Sequence, residues 1–181
     1  MIRSSLLMLF FIFPCMASET ADKAFTSCNI RSESCSANQL DDATWYAVII
    51  KNVAEGKLEW INKIPVLQKD ADRKRNLDLL TAAKLGLVIN PGGILAMLKP
   101  LDKQDTDGFA IFSTESVCDS SMGWVTEESY QKYYRAVYHS VQKLGDEGKH
   151  CLKILEANHE EIISDASRSP DSWGINIIPG Y

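Results

Sequence analysis

Between Thr126 and Gly145 the apolar side chains leave little choice of structure. Tyr130, Tyr133, Tyr134, Val137, Tyr138, Val141 and Leu144 fall at i, i+3, i+4, i+7, i+8, i+11 and i+14, which places them on one face of a helix. Thr126 stands where an N-cap belongs, with Glu127 and Glu128 in the first turn, where the helix dipole favours acids. Lys143 lies in the last turn and Gly145 follows as a stop. As a core seam, Tyr130, Tyr134, Tyr138 and Val141 pack inward with their hydroxyls at the rim. As an interface, the same helix offers Tyr133 and the preceding Trp124 to a partner.

Other segments repeat the helical pattern. Asp41 or Asp42 caps a helix to about Ala54, with Leu40, Ala43, Tyr46, Ala47, Ile49, Ile50 and Val53 on a broad apolar stripe. Residues 57–68 form a shorter candidate in which Pro65 either breaks the helix or starts a new turn. Asp70 or Asp72 then caps a helix to about Ile89, apolar nearly all round in its second half and hence expected at the centre of the core. Asn90-Pro91 ends it, and a short helix follows that Pro100 is expected to end. Residues 101–108 and 113–123 read as loops. A last helix, about Lys149–Ser164, is expected to bury Cys151, Leu152, Leu155, Ile162 and Ile163. The tail keeps Trp173, Ile175, Ile177 and Ile178 among turn residues and is expected to lie on the domain as an irregular strap. No two-residue alternation persists long enough for a sheet. The expectation is therefore all-α: a compact antiparallel bundle or small stack of five to six helices.

The first residues follow a different logic. Arg3, the apolar run Leu6–Pro14 and the small residues Ala17 and Ser18 have the order of a secretory signal peptide, with cleavage expected after Ala17. The run is well short of the roughly 20 residues that span a bilayer. Bulky Ile12, Phe13 and Pro14 argue against acylation of Cys15. The chain thus reads as a signal peptide (1–17), a polar segment (18–37) and a single helical domain (38–181). Export implies an oxidising compartment, where Cys28, Cys35, Cys118 and Cys151 pair. Of the three possible pairings, Cys28–Cys35 with Cys118–Cys151 is preferred: a small loop, and a tie from one loop to the start of the last helix. Chain entropy assigns them roughly 2.5 and 4 kcal/mol. No asparagine starts an N-x-[ST] sequon, which leans toward a periplasm over a glycosylating route.

The full chain carries a net charge of −5, and losing Arg3 makes it one unit more negative. Such a chain repels phosphate backbones and anionic lipid. No catalytic or cofactor motif is present. His139, His150 and His159 form no ligand pair. The stretch from Lys103 to Thr114 fails as a calcium loop at its first and last ligand positions, leaving Asp105, Asp107 and Gly108 as turn formers. The adjacent acids Asp41-Asp42, Glu127-Glu128 and Glu160-Glu161 point about a hundred degrees apart on a helix and do not converge as an acid–base pair.

These features suit an exported protein that works by covering another protein. Inhibitors and periplasmic immunity proteins that neutralise a toxin enzyme are the class expected. The partner-binding residues expected are Asp102, Asp105 and Asp107 in one loop, Glu115, Asp119 and Trp124 in the next, and Tyr133. A small-ligand carrier or enzyme would instead need polar groups converging in a pocket. An envelope assembly factor shares the features of a binding protein and differs in its partners.

Overall fold

In the computed structural model, residues 37–104, 111–169 and 172–181 are described. The segment expected as a signal peptide, the expected Cys28–Cys35 pairing, Asp105 and Asp107 lie outside them. Five side chains start helices by accepting a backbone N–H three residues on: Asp41 from Thr44, Asp72 from Arg75, Asn90 from Gly93, Ser113 from Ser116 and Thr126 from Ser129. α1 is one run made of Asp42–Thr44, a π-wound Trp45–Ile50 and Lys51–Ala54. Then come α2 (Leu58–Ile61), α3 (Ile64–Asp70), α4 (Arg73–Ile89) and α5 (Pro91–Asp102). α6 (Thr114–Cys118), α7 (Glu127–Gln142) and α8 (Lys149–Arg168) complete the set. The protein is all-α, a compact stack in which an isolated parallel bridge, Val125 to Asn176, is the β pairing among the described residues.

α4 is the axis of the stack, packed against α1, α5, α6 and α7. Its nearly all-round apolar second half requires this, and Gly86 permits it. A Cβ at Gly86 would sit 2.5 Å from the Val53 carbonyl oxygen, so α1 approaches α4 closer than any side chain allows. At the other end of α4, buried Arg75 donates to the carbonyls of Ala37 and Leu40 and pairs with Asp42 at 3.0 Å. The guanidinium also lies over the Trp45 ring. α5 adds Ile94, Leu95, Met97, Leu98 and Leu101 to the core, and α7 adds Tyr130, Tyr133, Val137 and Val141.

Several details depart from the sequence expectation. Eight helices stand among the described residues, not five or six, because the 57–68 candidate divides into α2 and α3, with Pro65 in the first turn of α3, and because α6 forms where a loop was expected. α5 runs past Pro100 to Asp102. The proline lies near the C-terminal end and is exposed, so the helix loses a single hydrogen bond there. Residues 114–118, expected as loop, form α6. Ser113 caps it, and Asp102 accepts from both the N–H and the hydroxyl of Thr114 at 2.8 and 2.7 Å. α8 reaches Arg168 and buries Cys151 and Leu155, while Leu152, Ile162 and Ile163 stay half-buried. A disulfide joins Cys118 at the end of α6 to Cys151 in the first turn of α8. No described helix is long and apolar enough to cross a membrane.

Candidate functional site

The loop between α6 and α7, residues 119–126, is where the molecule gathers its polar and aromatic side chains. Cys118 pins its start. Asp119 accepts from the N–H and hydroxyl of Ser121, both at 2.8 Å. Buried Lys84 of α4 reaches the same loop, donating to the Ser121 carbonyl at 2.9 Å and lying 3.7 Å from the Asp119 carboxylate. Burial pulls the Lys84 ammonium below its ordinary pKa, and Asp119 pulls it back.

Behind the loop stands an aromatic column. Tyr130 hydrogen-bonds to buried Ser120 and to His159 Nδ1, both at 3.1 Å. Burial pushes the Tyr130 phenol up to about 12 and lowers His159 below its ordinary pKa. The phenol and the Ser120 hydroxyl can each donate or accept, and the tautomer of His159 sets the direction of the hydrogen bonds along this chain. His159 stacks on Tyr134 with ring centroids 3.7 Å apart. Tyr138 continues the column and donates to Glu156 at 2.9 Å.

The tail crosses in front as a strap. Gly174 and Asn176 donate to the carbonyls of Val125 and Trp124, and Thr126 donates back to Asn176. Gly174 is required, since a Cβ there would lie 2.2 Å from Trp124 backbone. Further along, Ser129 accepts from the Ile178 N–H at 2.8 Å and donates to the Tyr181 carbonyl at 3.1 Å. Ile178 is buried, yet Trp124, Ile175 and Ile177 are 69%, 90% and 70% exposed. Three large apolar side chains thus stand in solvent on two segments that hydrogen bonds hold together.

Two clefts flank the strap. One, of about 460 Å³, lies between Ile89 of α4 and the terminal Pro179–Tyr181. Its charged members, Lys51 and Glu55, face each other at 3.9 Å. The other, of about 330 Å³, opens between the 121–125 loop, α8 and the strap, with Tyr130, Trp173 and Asp165 among its walls.

The residues expected at a partner surface divide. Trp124 is exposed, at the edge just described. Glu115 is exposed and pairs with exposed His150 at 3.3 Å. Asp102 is occupied in capping α6, and Asp119 in holding its loop and Lys84, so both serve the fold. Tyr133 is corrected outright. It is 0% exposed, donates to the Lys84 carbonyl at 3.2 Å and meets Tyr181 edge-on, which leaves no surface for a partner. Ile175, Ile177 and the cleft were not singled out from sequence, although the apolar tail contained the signal. Among the described residues no three His, Cys, Asp or Glu side chains gather as a metal site. No family model matches the chain, and no curated protein or solved structure resembles it closely enough to suggest a relative; the reading of function rests on the site itself.

Proposed function

We propose that the chain is an exported protein whose task is to bind another protein, with the edge formed by Trp124, Ile175 and Ile177 as the contact surface. The class favoured is an inhibitor or immunity protein of the periplasm that neutralises a toxin enzyme. The carrying observation is the exposure of those three side chains on a strap that hydrogen bonds fix to α7. A preformed apolar surface saves the ordering entropy that a floppy one would lose on binding, and large apolar side chains at the centre of a contact dominate its energy. The acidic chain, with Glu127 and Glu128 exposed in the first turn of α7, favours a basic partner and fast association at low salt. The signal-like N-terminus and the Cys118–Cys151 disulfide support work in an oxidising compartment.

The test is affinity capture with the tagged, oxidised protein from Ser18 against envelope and secreted extracts of the source strain. One enzyme recovered at stoichiometric level, and inhibited when the protein is added, supports the reading. Absence of any specific protein partner for a folded sample overturns it.

A further inference from the structure

We infer that the outer edge of the strap, from Ile175 to Ile177, is a template for an extended segment of the partner, which joins the strap as an added β-strand. The inference deepens the protein-binding reading and rests on it. Every second main-chain donor of the strap turns inward. Gly174 donates to the Val125 carbonyl at 2.9 Å, Asn176 to the Trp124 carbonyl at 3.1 Å and Ile178 to the Ser129 hydroxyl at 2.8 Å. The Asn176 carbonyl turns the same way and accepts from Thr126 at 2.9 Å. An extended chain directs the main-chain groups of successive residues to opposite sides. Ile175 and Ile177 therefore turn theirs away from the domain, and among the described residues none hydrogen-bonds to them.

A row of unpaired N–H and C=O groups selects its occupant. Another extended backbone matches it donor for acceptor. A helix does not, because its own main-chain groups are spent within it. The side chains agree with this choice. Ile175 and Ile177 are two residues apart and both project into solvent, so they share one face of the strap. A strand laid beside them meets that face with apolar side chains at alternate positions.

Charge does not guard the edge. From Ser172 to Tyr181 there is no Asp, Glu, Lys or Arg, whereas edges that stay unpaired are commonly protected by charged side chains. The template is short. The chain bends at Ile175, and Pro179, next in the outward alternation, has no N–H to offer. The added strand therefore lies at the lower end of the roughly 3–10 residues usual for strands. Main-chain pairing holds it, and the two isoleucines select among sequences.

The experiment uses the ¹⁵N-labelled mature protein and one probe, the peptide acetyl-Lys-Thr-Ile-Thr-Ile-Thr-Lys-amide, an extended segment with terminal lysines for solubility. Amide shifts and hydrogen exchange are followed along the strap. The expected result is saturable binding at millimolar concentration that shifts and protects the Ile175 and Ile177 N–H groups. The Asn176 and Ile178 N–H groups, already bonded, change least. Ile177→Pro removes a donor that the fold does not use, so it keeps the parent's urea midpoint and weakens the peptide about tenfold. Ile177→Val keeps the donor and binds as the parent does. If the proline variant does not fold, the alternation of protection in the parent decides alone. Equal protection from Gly174 to Ile178 overturns the inference, and so does a folded proline variant that binds like the valine one. Either result gives the edge to side-chain contacts. No saturable binding also overturns it. All three leave protein binding at the edge standing, because variants of Trp124, Ile175 and Ile177 side chains test that reading separately.

Discussion

Tyr133 and Trp124 stand nine residues apart in sequence and belong to the same corner of the molecule, yet they do opposite work. Tyr133 faces α4, is wholly enclosed and hydrogen-bonds to the Lys84 carbonyl. Trp124 faces water with its backbone pinned to the strap. The strap repeats the contrast within four residues, Ile178 buried and Ile175 and Ile177 exposed. Identical side-chain chemistry serves the fold in one place and is left over in the other. What separates the two is the backbone: Ser129 draws the strap inward at Ile178, whereas the Val125–Asn176 bridge holds the preceding residues at the surface.

If that comparison is right, substitutions on the two sides should differ sharply in stability. Tyr133→Ala should cost about 3–5 kcal/mol, as for other large buried aromatics, read as a lowered midpoint in urea denaturation. Trp124→Ala, Ile175→Ser and Ile177→Ser should each stay within about 0.5 kcal/mol of the parent. Comparable losses on both sides would break the distinction between core and surface. Next in size is the Cys118–Cys151 staple. Replacing both cysteines by serine should cost about 4 kcal/mol if chain entropy governs, and less if the reduced chain keeps structure.

Smaller effects sharpen the account of the loop that carries Trp124. Asp119→Ala removes the partner of buried Lys84 and should destabilise by about 1–3 kcal/mol. Lys84→Met in the same chain should recover much of that loss, because the unpaired charge goes with it. An additive double variant would show that the 3.7 Å pair contributes nothing. The smallest effect is on pH. Burial holds His159 below its ordinary value of 6.5, so the unfolded chain binds a proton more readily than the folded one. Its contribution to stability is complete above about pH 6.5 and is lost as pH falls from there through the folded value. His159→Gln should flatten that part of the stability profile and leave the neutral-pH end least altered in slope.

The helical class was legible because it depends on local periodicity and caps. Asp41, Asp72 and Thr126 each start a helix where the side-chain pattern places one. α6 was missed because its five residues are too few to show a period, and half of its support comes from Asp102, twelve residues back. The tyrosine face was legible as a stripe but not as a division of labour. Steps of three and four both fall within one broad face. Which edge is enclosed depends on where α4 and α8 lie: Tyr133 meets α4, while Tyr134 and Tyr138 meet His159 and Glu156 of α8. Acidic loop residues were expected at a contact surface for their charge, yet Asp102 and Asp119 are used by backbone N–H groups and by Lys84. Composition shows that a carboxylate is present and says nothing of whether the chain itself already occupies it. The exposed edge could be seen only once the bridge fixed which strap residues turn outward.

The most direct test is the affinity of the purified partner for the variant carrying Trp124→Ala, Ile175→Ser and Ile177→Ser together, measured beside the parent at one salt concentration. The account predicts that the variant keeps the parent's unfolding midpoint to within a small margin and binds at least about 100-fold more weakly, the loss expected when central apolar contacts are removed. A variant equally stable that binds its partner as tightly as the parent would contradict it and place the contact surface elsewhere on the molecule.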